Sequence, residues 1–190
     1  MADLIDADGW HRDARRVASP NFDDRPAGCG PELIVVHNIS LPPGRFGTGA
    51  IEALFCNQLD CTAHEYYAGL EGLRVSAHFL IDRRGELTQF VSCRRRAWHA
   101  GVSSWAGRSR CNDFSLGVEL EGTDTKAYDE AQYEALAALV GDLRQRYSTL
   151  NAASIVGHSD IAPGRKTDPG PAFSWPRLRS DLRRQQRANR

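Results

Sequence analysis

Six histidines, at positions 11, 37, 64, 78, 99 and 158, are the residues of this chain best suited to chemistry. Two of them close apolar runs. Leu33-Ile34-Val35-Val36 leads into His37, and Ile155-Val156-Gly157 leads into His158. Such runs read as buried strands, and ligand sites gather where strands leave a sheet, since the sheet fixes their ends while the loops open to solvent. Asp168 follows in a loop punctuated by Pro163, Gly164, Pro169 and Gly170, which can fold back on His158. Two imidazoles and a carboxylate form a donor set suited to Zn²⁺, with a fourth position left for water as in catalytic sites. Zinc lowers the pKa of water to about 7, so such a site generates a nucleophile at neutral pH. Spacing alone does not separate these ligands from ordinary hydrogen-bonded histidines at strand ends.

Other chemistries lack their residues. His64-Glu65-Tyr66-Tyr67-Ala68 opens like a zinc-protease helix, but Ala68 stands where the second histidine belongs. There is no Gly-x-Ser-x-Gly elbow, Walker loop or Gly-x-Gly-x-x-Gly turn. The five cysteines, 29, 56, 61, 93 and 111, have no zinc-ribbon spacing and read as free thiols.

The elements that must position the histidines can be read from periodicity. Gly9 to Val17 forms a short amphipathic piece, and Ala50 to Leu59 a helix after the break at Leu41-Pro42-Pro43-Gly44. Val75–Ile81 and Glu86–Val91 flank Asp82-Arg83-Arg84-Gly85 as a hairpin. Phe114–Leu120 alternates as a strand. A helix then starts at an Asp129 cap with Gln132 three residues on, and a last helix at Ser174 carries Leu178 and Leu182. These elements predict an α/β fold: a single domain over residues 1–190 with a central mixed β-sheet flanked by helices. Its core runs from about residue 10 to 176, and residues 177–190 form a basic tail.

With 190 residues and 41% hydrophobic content, one core suffices. Lys plus Arg and Asp plus Glu both number 24, so no global field draws nucleic acid or an anionic membrane. The start, Met1-Ala2-Asp3-Leu4-Ile5-Asp6, is acidic where a signal peptide is basic, and no run approaches a membrane helix. The expectation is a cytoplasmic protein without an obligate protein partner.

Several segments, in order, resemble a known family: Val35-Val36-His37-Asn38-Ile39-Ser40-Leu41-Pro42-Pro43-Gly44, Arg74–His78, Arg96–Ser104, Cys111–Ser115, Gly117–Asp124, Gly157–Pro163 and Arg165–Pro171. They are similar to the zinc N-acetylmuramoyl-L-alanine amidases, and among these to the 1,6-anhydro-N-acetylmuramyl-L-alanine amidases of peptidoglycan recycling, which share their fold with peptidoglycan-recognition proteins. The resemblance implies one Zn²⁺ per chain on His37, His158 and Asp168, the set reached above. It also implies Glu119 as the proton-transferring carboxylate and Lys166 as the transition-state cation. Without it, Glu119 reads as an exposed strand carboxylate and Lys166 as a solvated loop lysine. The implied substrate is a small muropeptide, cut between the lactyl group of the anhydro sugar and L-alanine. Asn38, Tyr66, Arg74, Trp98, His99, Arg110 and Asn112 are candidate substrate-binding residues, since sugars favour aromatic platforms and peptide carboxylates favour Arg forks. His78 fits either the groove or the core. A non-catalytic binding module of the same fold and an amidase acting on intact wall are the rival readings.

Overall fold

The structure is a computed structural model that describes residues 3–188; Met1, Ala2, Asn189 and Arg190 lie outside them. The chain begins with β1 (Arg15–Arg16), β2 (Phe22–Asp24), β3 (Leu33–Ile39), α1 (Ala50–Phe55) and α2 (Glu65–Ala68). Next come β4 (Phe79–Ile81), β5 (Leu87–Gln89), β6 (Arg95–Ala97), β7 (Ser104–Trp105) and β8 (Arg108–Ser109). β9 (Ser115–Glu121), α3 (Glu130–Arg146), β10 (Ile155–Gly157), α4 (His158–Ile161) and α5 (Trp175–Ala188) complete it.

Six strands form one mixed sheet in the order β1-β5-β4-β9-β3-β10. β4, β9, β3 and β10 run parallel, while β4 and β5 pair antiparallel. Parallel strands covered on both faces read as unbroken apolar runs, and the first five residues of β3 are all buried. β9, at the centre, is buried throughout. Its Leu116, Val118 and Leu120 face a core shared with Leu136, Val140 and Leu143 of α3 and Leu178 of α5. By strand alternation, its Ser115, Gly117 and Glu119 face the other way. A second cluster under α1 and α2 holds Leu54, Phe55, Tyr67, Leu80 and Phe90.

The periodic expectations hold with adjusted ends. β3 runs through His37 to Ile39 instead of stopping before it. The hairpin is realised only over β4 and β5, and α1 stops at Phe55, where Asn57 turns with φ of 59°. Asp129 and Gln132 form their capping box, and the Ser174 hydroxyl accepts from the Arg177 amide at 3.3 Å. The end of the amphipathic piece from Gly9 to Val17 is β1, the edge strand that pairs parallel with β5. All five cysteines are unpaired.

Candidate metal and catalytic site

The histidines sit at the C-terminal ends of neighbouring strands. β3 delivers His37, and β10, in parallel register beside it, delivers His158 as the first residue of α4. The loop after α4 then turns back. The Ser159 amide donates to the Asp168 carbonyl at 3.0 Å. Gly157 lets the loop seat: a Cβ there would lie 2.8 Å from Cδ of Pro169. Gly170, with φ of 78°, packs so close to Asp124 that a Cβ would lie 2.3 Å from its Cα. The Tyr128 hydroxyl holds the same turn, donating to the Pro169 carbonyl at 2.8 Å.

The result is a tight triangle. Nδ1 of His37 lies 2.9 Å from Nδ1 of His158 and 3.0 Å from Oδ2 of Asp168, and the third side measures 3.1 Å. The other ring nitrogens show what occupies the first ones. Nε2 of His158 lies 3.1 Å from the Ala100 carbonyl, which can only accept, so that nitrogen carries the proton and Nδ1 is a lone pair. Burial draws the His37 pKa down to about 4 despite Asp168, so its ring is neutral at pH 7. Two imidazole nitrogens and a carboxylate oxygen converging at such distances can hold a cation between them. The sides approach the ~3.3 Å edge of a tetrahedron with zinc bonds of about 2.05 Å. The donor set therefore fits zinc.

Glu119 stands in register with His37 on the adjacent strand, so both side chains project from the same face. It is not the exposed carboxylate that alternation suggests: only 8% of its surface is accessible, and Oε2 is buried without a hydrogen-bond partner. Burial raises its pKa well above the ordinary value, the Asp168 charge adds to this, and Lys166 opposes it. Lys166 lines the same cleft, and its charge reaches both Glu119 and His37. The cleft holds about 480 Å³ and is lined by the triangle, Glu119 and the apolar Leu54, Leu70, Leu73 and Val75. A larger groove of about 1100 Å³ lies by the start of β3, lined by Trp10, Arg16, Arg25 and Arg95, away from the triangle's residues.

Of the other candidates, Asn38, Tyr66, Trp98 and His99 line the cleft. Asn38 donates to Oδ1 of Asp124 at 2.8 Å, and Tyr66 is 44% exposed. Arg74 lines an adjoining recess with Asp60, Leu70 and Leu73. Arg110 is placed elsewhere, exposed and paired with Asp113. Asn112 turns its side chain inward, where Oδ1 accepts from the amides of His99 and Ala100 at 3.2 and 2.8 Å. His78 is a core residue, with Nδ1 accepting from the Gly117 amide and Nε2 donating to the Arg95 carbonyl. His64 caps α2, and His11 lies against Asp142. Sequence reasoning passed over Asp124 and the apolar wall of the cleft. Asp124 carried a signal in its closeness to Glu119, whereas apolar residues of α1 look the same whether they face a core or a ligand.

A family model described as N-acetylmuramoyl-L-alanine amidase matches residues 27–171. The 1,6-anhydro-N-acetylmuramyl-L-alanine amidase AmpD of Citrobacter freundii is 58% identical over 177 residues, covering 93% of this chain and 94% of that protein. A crystal structure of a selenomethionine AmpD derivative is similar with a TM-score of 0.90 at 58% identity, over 92% of this chain and 97% of that one. Escherichia coli AmiD, solved with the substrate anhydro-N-acetylmuramic acid-L-Ala-D-gamma-Glu-L-Lys, is similar with a TM-score of 0.60 at 26% identity, over 85% of this chain and 65% of that one. A match across this much of the chain, with relatives this similar along nearly their whole length, means that the chain belongs to the N-acetylmuramoyl-L-alanine amidase family.

Proposed function

We propose that this amidase hydrolyses the bond between the lactyl group of 1,6-anhydro-N-acetylmuramic acid and L-alanine in small muropeptides of peptidoglycan recycling. One zinc ion per chain is held by His37, His158 and Asp168. The observation that carries this reading is the triangle of inward-facing donors beside a buried carboxylate without a partner. The name of the Citrobacter relative and the muropeptide bound to AmiD support the substrate class. No helix among the described residues is long and apolar enough to cross a membrane, and a cytoplasmic site of action is part of the proposal.

The chemistry divides among the residues as follows. Zinc supplies Lewis acidity, which polarises the amide carbonyl and acidifies water. Glu119, with its raised pKa, is suited to take the proton of the attacking water and return it to the departing α-amine of L-alanine. Lys166 offers a cationic donor to the oxyanion. Trp98 and Tyr66 offer aromatic rings for the sugar, and Leu54, Leu70 and Leu73 give the same cleft an apolar lining.

The test combines metal analysis with mass spectrometry of products from an anhydro-muropeptide and from intact peptidoglycan. About one zinc per chain and release of the stem peptide from the small substrate are expected. Cleavage that persists unchanged in excess chelator overturns the zinc reading, and preference for the intact polymer overturns the recycling substrate.

A further inference from the structure

We infer that His99 is the positioning residue of the metal site, the hydrogen-bond acceptor that aims Nδ1 of His37 at the metal. This inference rests on the zinc reading above. A histidine that binds metal through one nitrogen must be oriented through the other, and the partner is ordinarily a carboxylate, a carbonyl or water. His158 follows that rule with the Ala100 carbonyl. His37 does not, because its Nε2 meets another imidazole, Nδ1 of His99, at 2.9 Å.

The His99 ring is itself held on every side. Its Nε2 lies 3.1 Å from the Ser115 hydroxyl oxygen. It rests on Gly117, where a Cβ would stand 2.5 Å from its Cγ, so only glycine leaves room for it. Its backbone is pinned by Oδ1 of Asn112, which also accepts from the Ala100 amide. One dipeptide, His99-Ala100, therefore supports both imidazole ligands, and Asn112 fixes that dipeptide. Ala100 is fixed further from the ligand loop, since Arg165 donates to its carbonyl at 2.6 Å.

The hydrogens in this chain of rings can run in two senses. With the metal on Nδ1 of His37, Nε2–H donates to Nδ1 of His99, and Nε2–H of His99 donates to Ser115. In the reverse sense, Nδ1 of His37 carries the proton and cannot take a metal. Zinc binding and the Nε2–H tautomer of His99 are thus coupled. A residue that merely filled space beside His37 would show no such coupling.

The experiment measures zinc affinity by chelator competition in the wild type, His99→Leu and His99→Asn, with the thermal midpoint of each metal-free protein. Nitrogen-15 NMR reads the His99 tautomer in the zinc-loaded wild type. Leucine removes the acceptor, while asparagine places its oxygen near the lost Nδ1. We expect His99→Leu to lose 10–100-fold in zinc affinity, on the order seen when such outer partners are removed, and His99→Asn to recover much of it. The wild type should show His99 protonated on Nε2. A wild type that binds no zinc sinks the zinc reading itself. Wild-type affinity in a folded His99→Leu protein, or an Nδ1–H tautomer in the zinc-loaded wild type, overturns the role of His99. The tautomer measurement decides the matter even if the leucine variant does not fold.

Discussion

Replacing Glu119 by glutamine should make the protein more stable while disabling it. The carboxylate is 8% exposed, and one of its oxygens is buried without a partner. Its pKa in the fold lies well above the ordinary 4.5, through burial first and the Asp168 charge second. The folded state thus holds the Glu119 proton more tightly than the unfolded chain does. Stability from this group is full below pH 4.5 and is lost as pH rises through the higher folded value. Above that folded value the native protein carries a buried charge that glutamine removes. An unsatisfied buried polar group costs about 1–3 kcal/mol. For a chain of this size each kcal/mol moves the midpoint by about 2–4 °C. Once pH exceeds that folded value, the metal-free variant should therefore melt higher than the metal-free wild type by on the order of 5 °C, with the gap closing towards pH 4. Turnover of the zinc-loaded variant should fall by about 10²–10⁴-fold, the usual worth of a positioned acid–base group. Calorimetry across that pH range, in chelator, checks the first part. A variant no more stable than the wild type at any alkaline pH, or a gap that stays constant with pH, would refute the reasoning.

The ligands and their supports give further expectations. His37→Ala and Asp168→Ala should leave the fold largely intact but release the metal, seen as loss of about one zinc per chain by elemental analysis. Lys166→Met should retain the metal and lose on the order of 10²–10³ in kcat, read by steady-state kinetics beside metal content. Gly157→Ala forces a methyl group against Pro169, where the contact would be 2.8 Å; it should weaken zinc binding in chelator competition although residue 157 ligates nothing. Leu116→Ala, in the fully buried face of β9, should cost about 2–5 kcal/mol in denaturant unfolding.

The strand-end histidines were legible because a β-branched run announces a strand and the residue that ends it. The tightness of the triangle was not, since it depends on a loop that seats only because Gly157 and Gly170 lack side chains. Alternation put Glu119 on the right strand but left it solvent-exposed. Its burial comes from chain that packs over that face of the sheet, His99 on Gly117 and the loop of Lys166 and Asp168 among it, which no local pattern encodes. His99 and Asn112 both entered as groove candidates, and His99 does line the cleft. Only the folded chain shows that His99 meets His37 and that Asn112 turns inward to the backbone.

β10 occupies the far edge of the sheet, three residues long and paired only with β3. Strands that short, with one neighbour, ordinarily fray first. Here the residue that follows β10 shares its donor triangle with the residue near the end of β3, so an ion seated there would act as a rivet across that edge of the sheet. Metal loading then reports on more than competence for hydrolysis. Amides of β10 should exchange with solvent far more slowly in the zinc-loaded protein than in the stripped one, so that on the zinc reading proposed above loss of the ion would loosen one edge of the sheet as well as remove the Lewis acid.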